Sequence, residues 1–568
     1  MDAEVITTTD AVDPAPNPES SFAGIVPLVA AAGVAASLAA CGGGGGGDSP
    51  AASVATPTAA EASRFLAQAS IGASRAQIDR TQSQGYAGWL DEQFQLPSSG
   101  TRWDWLVANG YADISHKNDE AGFDSASWIK VLSAPDTLRQ RVTLALSEIF
   151  VVGIDGLVGG GWKQFAAAAY LDLLEANAFG NHRTLLQQIS LSPAMGEFLT
   201  FRGSAKANTT TGALPDENYA RELMQLFTIG LVKLNLDGTP QLNAGNPVDT
   251  YGQDDITGLA RVFTGWDFDL AGLTGAAATA TPDFIRRPLV QVGSRYETGA
   301  KTFLGSTIAA GTSATQALAQ ALDTIFAHPN VAPFFSRQMI QRLVTSNPTP
   351  AYVRRVATVF SNDGSGVRGN LRAVVRALLL DDEARSATVA AGPSFGKLRE
   401  PMLRFAGWAR AYNAASPSGA WAVGNTSDPA SQLAQSPLRS PSVFNFFRPG
   451  YVPPNSALGN AALAAPEFQI ANESSVVGCI NFMQRAVNGT VGDITPDYTA
   501  LLTMADDART LIDEINLVLA ANQLSAATTA ALVTAVQTMP AGTAPTRRNR
   551  INAALVLVLA APEFIVQK

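Results

Sequence analysis

Pro215-Asp216-Glu217-Asn218-Tyr219-Ala220-Arg221-Glu222-Leu223-Met224-Gln225-Leu226-Phe227-Thr228-Ile229-Gly230 reads as one bounded helix. Asp216 suits the N-cap, where its carboxylate accepts an orphan backbone N–H, and Gly230 suits the left-handed position that stops a helix. At about 100° per residue, Tyr219, Ala220, Leu223, Met224, Leu226 and Phe227 share one half of the wheel. Glu217, Asn218, Arg221, Glu222, Gln225 and Thr228 share the other. Similar punctuation runs along the chain and predicts helices over 59–73, 75–94, 136–152, 162–177 and 181–201, the last broken at Pro193. Further helices are expected at 316–326, 331–344, 351–360, 371–380, 468–487, 498–520, 524–538 and 546–562. Turn-rich loops separate them at 202–215, 232–253, 267–300 and 414–460, and only 289–292 and 302–305 suggest strands. The expected fold class is mainly α, a large multi-helix body with long irregular loops and few short strands. No period of solenoid length is present.

Composition agrees with a packed body. Of 568 residues, 46% are hydrophobic and 15% charged, with a mean hydropathy of +0.09, so the chain has ample apolar material for a core. The formal charge of −9 is uneven, because residues 1–60 hold six acids and no Lys or Arg, which leaves residues 61–568 at −3. A nearly neutral body lacks the basic footprint of a nucleic-acid binder, and none is expected as a partner.

Residues 1–41 read as a leader. The run 21–41 is uncharged and Ala-rich, ends in Leu38-Ala39-Ala40-Cys41 and is followed by six glycines, which looks like a bacterial lipoprotein signal with Cys41 as the acylated residue. Export to the periplasm or outer membrane with a lipid anchor is the expectation, since acyl chains anchor without spanning. The alternative is a cytoplasmic protein with an N-terminal tail. Residues 42–60 form a Gly/Ser/Ala/Pro linker, and 61–568 form the body, with a subdivision expected near 270–310.

Three segments carry candidate chemistry. On the first helix, Glu217, Arg221 and Glu222 form either a solvated face with a favourable i,i+4 pair or a catalytic cluster in which the guanidinium holds one acid ionised. In the second, Asp254-Asp255-Ile256-Thr257-Gly258-Leu259-Ala260-Arg261-Val262-Phe263-Thr264-Gly265-Trp266, Asp255 is a cap or a catalytic carboxylate. Trp266 is a packed anchor or a ligand platform, and Tyr219 is a second ligand-binding candidate. The third, Gly299-Ala300-Lys301-Thr302-Phe303-Leu304-Gly305, contributes Lys301 but is no phosphate loop, because Ala300 stands where glycine is needed and a strand comes next. His116, His182 and His328 are the only histidines, and no His-Glu-x-x-His or Cys pair is present, so a histidine- or thiolate-held zinc is not expected. His182 and His328 sit at helix starts as capping or turn residues. A carboxylate site for Ca²⁺ or Mg²⁺ stays open, because hard cations take oxygen ligands.

These segments, in this order, resemble the bacterial family known as domain of unknown function 1800, from about residue 61 to the C-terminus. Ser192-Pro193-Ala194-Met195 and His328-Pro329 are also similar to family segments, whereas Tyr296 stands where family members often have His. The resemblance implies a large, helical, usually exported protein, often encoded beside a second exported protein that would be its partner, with no established activity. Two functions are therefore expected: binding or scaffolding at the bacterial envelope, or an exported hydrolase or divalent-metal-assisted enzyme using Glu217, Arg221, Glu222, Asp255 and Lys301, with Trp266 and the 414–460 loop shaping the pocket.

Overall fold

A computed structural model describes residues 56–273 and 279–568. The leader, Cys41 and most of the linker lie outside the described residues. The body is mainly α, as the periodicity predicts, and strands occur among the described residues only as four two-stranded antiparallel ladders.

The helices start where their caps dictate. Thr58 and Glu61 form a reciprocal capping box at Ala59–Ala69, and Ser313, Thr349 and Asn370 each accept a backbone N–H at the starts of Ala314–Ala327, Pro350–Ser361 and Leu371–Leu380. The Ala-rich helix Lys163–Ala176 packs against Arg102–Ala108, Phe123–Ser133 and Thr137–Ile149. Its small residues let these neighbours approach closely. The first and the C-terminal helical segments of the body are neighbours: Ala59–Ala69 packs on Ala508–Ala520, and Lys397–Leu398 pairs with Val566–Gln567. Val331–Leu343, Pro350–Ser361 and Leu371–Leu380 stack in sequence, and Glu473–Val487 joins Ala544–Ala560 in the C-terminal layer.

Among the described residues, three helices of seven residues or more lie outside those expected, Arg102–Ala108, Phe123–Ser133 and Pro401–Ala411, together with the single turns Asp382–Arg385, Ala387–Ala390 and Ala457–Asn460. Each of the three longer helices mixes Trp and charge, and some of that charge is buried, so no clean apolar stripe marks them. The hairpin Lys301–Phe303 with Ser306–Ile308 matches the strand expected there, and Val290–Gln291 pairs with Trp266–Asp267.

The 216–230 helix differs from a uniform wheel. Its α-helical part ends at Glu222, and Leu223–Thr228 is a π-helix, in which the Thr228 hydroxyl also donates to the Leu223 carbonyl. The i→i+5 pattern adds a residue to the turn and rotates the side chains beyond it. Glu222 and Thr228, expected on the polar half, are buried instead, while Leu226, expected on the apolar half, is only partly covered.

Candidate functional site

The first two motifs meet through Glu217. Its carboxylate accepts from Thr257 Oγ1 at 2.7 Å and Gln253 Nε2 at 2.8 Å, both on Gln253–Ala260, and lies 3.2 Å from Arg221 Nη2. Asp216 makes the local cap, accepting the Asn218 N–H at 2.8 Å. Glu222 makes no ion pair or hydrogen bond with Glu217 or Arg221. One of its carboxylate oxygens is buried without a partner, and burial raises its pKa against the pull of Arg221. Nearby, burial first and the Glu222 charge second push the Tyr251 phenol up to about 12.

The other candidates do not join this group. Asp255 accepts from Gly252 N at 2.8 Å and Leu304 N at 2.7 Å, and so clamps a helix start to the hairpin. Lys301 is fully buried, donates to the Gly299 carbonyl at 3.0 Å and lies 4.7 Å from the Tyr296 ring centroid. Burial lowers its pKa. Tyr219 is a core residue, with its hydroxyl 2.7 Å from Ser190 Oγ and its ring against Phe201 and Phe263. Trp266 is also buried and donates to the Val262 carbonyl at 3.1 Å.

The π turn instead walls a cleft of about 490 Å³. Gln225 and Leu226 line one side with Leu231 and Leu234 of the loop after it; Phe334, Arg337 and Gln338 come from Val331–Leu343, and Val443, Phe444 and Arg448 from the long loop. The cleft is therefore apolar walls around a few polar groups, the usual constitution of a small-molecule site. Leu231 is 56% exposed. Arg337 and Arg448 stand exposed, and among the described residues neither pairs with a carboxylate. Gln338 is buried with its amide nitrogen unpartnered.

Beneath the cleft lies a charge cluster that the sequence reading missed. Glu148, at the end of Thr137–Ile149, lines the cleft, and both its oxygens are buried with no N–H or hydroxyl donating to them, although Arg342 Nη1 lies 3.4 Å away. Lys397 Nζ sits 3.0 Å from Glu467 and 3.4 Å from Glu400, and donates to the Arg342 carbonyl at 2.7 Å. Arg141 Nη2 reaches the same carbonyl at 2.6 Å, and Gln435 donates to Glu400 at 2.7 Å. Three acids and three bases are thus enclosed together, each less than a twentieth exposed.

Electrostatics separates the two inner carboxyls. Burial first, and the neighbouring Glu400 charge second, push Glu148 well above the usual carboxylate range. Burial also works on Glu400, but Lys397 first, then a hydrogen bond with the protonated Glu148, the Arg141 charge and the Gln435 amide hold it below that range. The pair therefore keeps a proton on the cleft side and a charge behind it. Opposed pKa values in adjoining carboxyls are the signature of acid and base roles.

A sequence signal for this cluster existed. Arg141 and Glu148, two turns apart on one helix, lie on the same side as the apolar Leu138, Val142 and Ala145, and charge is dense in Lys397-Leu398-Arg399-Glu400-Pro401. Among the described residues no three His, Cys, Asp or Glu side chains come together as a metal site, and no helix is long and apolar enough to cross a membrane.

The family profile described as "Protein of unknown function (DUF1800)" matches residues 64–566. No curated protein and no solved structure matches the chain.

Proposed function

The chain belongs to the DUF1800 family over nearly its whole length, and from that premise we propose an exported binding protein of the bacterial envelope, lipid-anchored through Cys41, that takes a small amphipathic anion into the cleft above Glu148. The observation that carries this reading is the cleft's composition. Leu226, Leu231, Phe334 and Phe444 offer an apolar wall, while Arg337 and Arg448 offer two guanidinium groups without carboxylate partners among the described residues. A protonated Glu148 adds a donor rather than a repelling charge.

Binding of dansyl-labelled undecanoate, read by fluorescence, tests the reading. Arg337→Gln combined with Arg448→Gln should weaken binding about tenfold or more, a loss of roughly 1.4 kcal/mol, and Leu231→Asp should abolish it. Equal binding by all three proteins would remove the cleft from consideration. The anchor is tested separately: Cys41→Ala should release the protein from the membrane fraction and end palmitate incorporation.

A second reading, an exported hydrolase, is favoured by the opposed Glu148 and Glu400 carboxyls. Glu148 would then give its proton to the departing alcohol as the acyl C–O bond breaks, while a water from the open cleft forms the new C–O bond and returns a proton to the Glu148 carboxylate. Glu148→Gln should abolish cleavage of an ester of the same labelled acid while changing affinity for the free acid by less than about threefold, well under 1.4 kcal/mol.

A further inference from the structure

The segment 397–404 sends its charges to two sides. Lys397 and Glu400 enter the cluster below the cleft, whereas Arg399 and Arg404 line a separate cavity of about 40 Å³. Its other walls come from Ser70 and Gly72 after the first helix, Trp408 of Pro401–Ala411, Leu519, and Phe564 near the C-terminus.

No acid lines this cavity, and among the described residues neither guanidinium is paired with a carboxylate. Arg399 Nε and Nη2 are buried and have no hydrogen-bond partner. These two nitrogens form the side-on edge of the guanidinium, which presents parallel N–H groups to an oxyanion. Arg404 turns toward the same region, with Nε donating to the Arg399 carbonyl at 2.8 Å and Nη1 4.0 Å from Cys479 Sγ. Burial pushes the Cys479 thiol up, so it stays neutral and supplies no counter-charge. Burial first, and the neighbouring Arg404 second, draw Arg399 down to about 10.

Both guanidinium groups are partly buried, and Arg399, whose Cζ lies 5.1 Å from the Phe564 ring centroid, still has two buried N–H groups unmet, a cost that an anion joining them would offset. We propose that Arg399 and Arg404 hold one small monoanion, chloride or a one-carbon oxyanion such as formate or bicarbonate, seated on the Arg399 side-on edge. The space admits an ion of that size and excludes a phosphate ester with a substituent. The site joins helix Ala59–Ala69 to the C-terminal segment, because the backbone N–H of Arg399 also donates to the Ile565 carbonyl at 2.7 Å and Ser63 and Ala67 line the cavity. This anion is independent of the ligand assigned to the cleft.

The test is thermal unfolding of the full chain while sodium bromide or sodium formate replaces sodium gluconate at constant ionic strength, gluconate being too large for the cavity. The expected result is a saturable rise in the midpoint with either anion. Arg399→Gln should raise the half-saturating concentration at least tenfold, and Arg399→Lys should retain the bromide response but lose any advantage of formate. Bromide-soaked crystals of the unaltered protein should give an anomalous peak beside Arg399, which keeps the test decisive if the variants do not fold. A midpoint indifferent to the anion, together with no anomalous peak, would overturn the proposal.

Discussion

His182 begins the helix His182–Ser190, a position the sequence reading assigns to a cap or turn. Asn181 takes the cap instead, accepting the Arg183 N–H, and His182 turns its ring into the core among Phe150, Phe326, Phe335 and Phe360. Neither ring nitrogen has a partner, and burial first, with Arg368 second, lowers the pKa from 6.5 to about 3. The unfolded chain takes up a proton that the folded chain refuses, so stability is fully present above 6.5 and drains as pH falls toward 3. His182→Phe should flatten that limb by up to about 1.4 kcal/mol per pH unit, and should change stability by less than about 1.5 kcal/mol at neutral pH. Urea unfolding followed by tryptophan fluorescence across the acid range reads both effects; equal slopes for the two proteins would contradict the argument. His328 keeps its assigned turn role, its Nδ1 accepting the Asn330 N–H at 3.2 Å. A sequence places both histidines at helix starts, but only packing decides which ring goes inward.

At the scale of elements, local chemistry was legible and register was not. Caps, prolines and glycines act within a few residues, so the bounds of 59–69, 371–380 and 331–343 lie close to those expected. The π turn was hidden because a uniform wheel cannot represent an added residue, yet that turn carries Gln225 and Leu226 to the cleft. Gly258 shows what a motif glycine does: a Cβ there would lie 1.8 Å from the Thr302 carbonyl oxygen, so the helix Gln253–Ala260 can touch the hairpin only without a side chain. Gly258→Ala should therefore destabilise the protein by about 2–3 kcal/mol, despite alanine's better helix propensity of about 1 kcal/mol. Gly88→Ala, within Arg75–Gln95 and meeting only Gln84 Cβ at 3.3 Å, should be neutral or stabilising by up to about 1 kcal/mol. Denaturant midpoints of the two variants separate close approach from a general intolerance of substitution.

For the whole molecule, the candidate site is a tertiary product. Arg141 and Glu148, Arg342, Lys397 and Glu400, and Glu467 come from four distant stretches, and no local pattern joins them, whereas the motif residues Glu217 and Arg221 were legible as a pair because they are four apart on one helix. The enclosed cluster makes overall stability depend on matched charge. Lys397 lies beside both Glu400 and Glu467 and is itself buried, so Lys397→Met removes the cation nearest to both carboxylates and leaves Arg141 to act on them from further off. Breaking such a group should cost about 3–5 kcal/mol at neutral pH, since the acids stay behind without their partner. Glu400 is held below its ordinary 4.5 chiefly by Lys397, so its contribution is present above 4.5 and lost as pH falls below it. In the variant the largest part of that contribution, the Lys397 charge, is already gone, and its deficit relative to the parent should shrink as the pH is lowered below about 4.5. Glu148, shifted upward, takes up its proton above 4.5, before Glu400 begins to protonate, and so adds no pH dependence in the window below 4.5. Guanidinium unfolding near neutral pH and again well below 4.5 measures the deficit at both ends. A deficit that stays constant across that range would mean that Lys397 acts through packing alone and that the cluster below the cleft is not held by its charges.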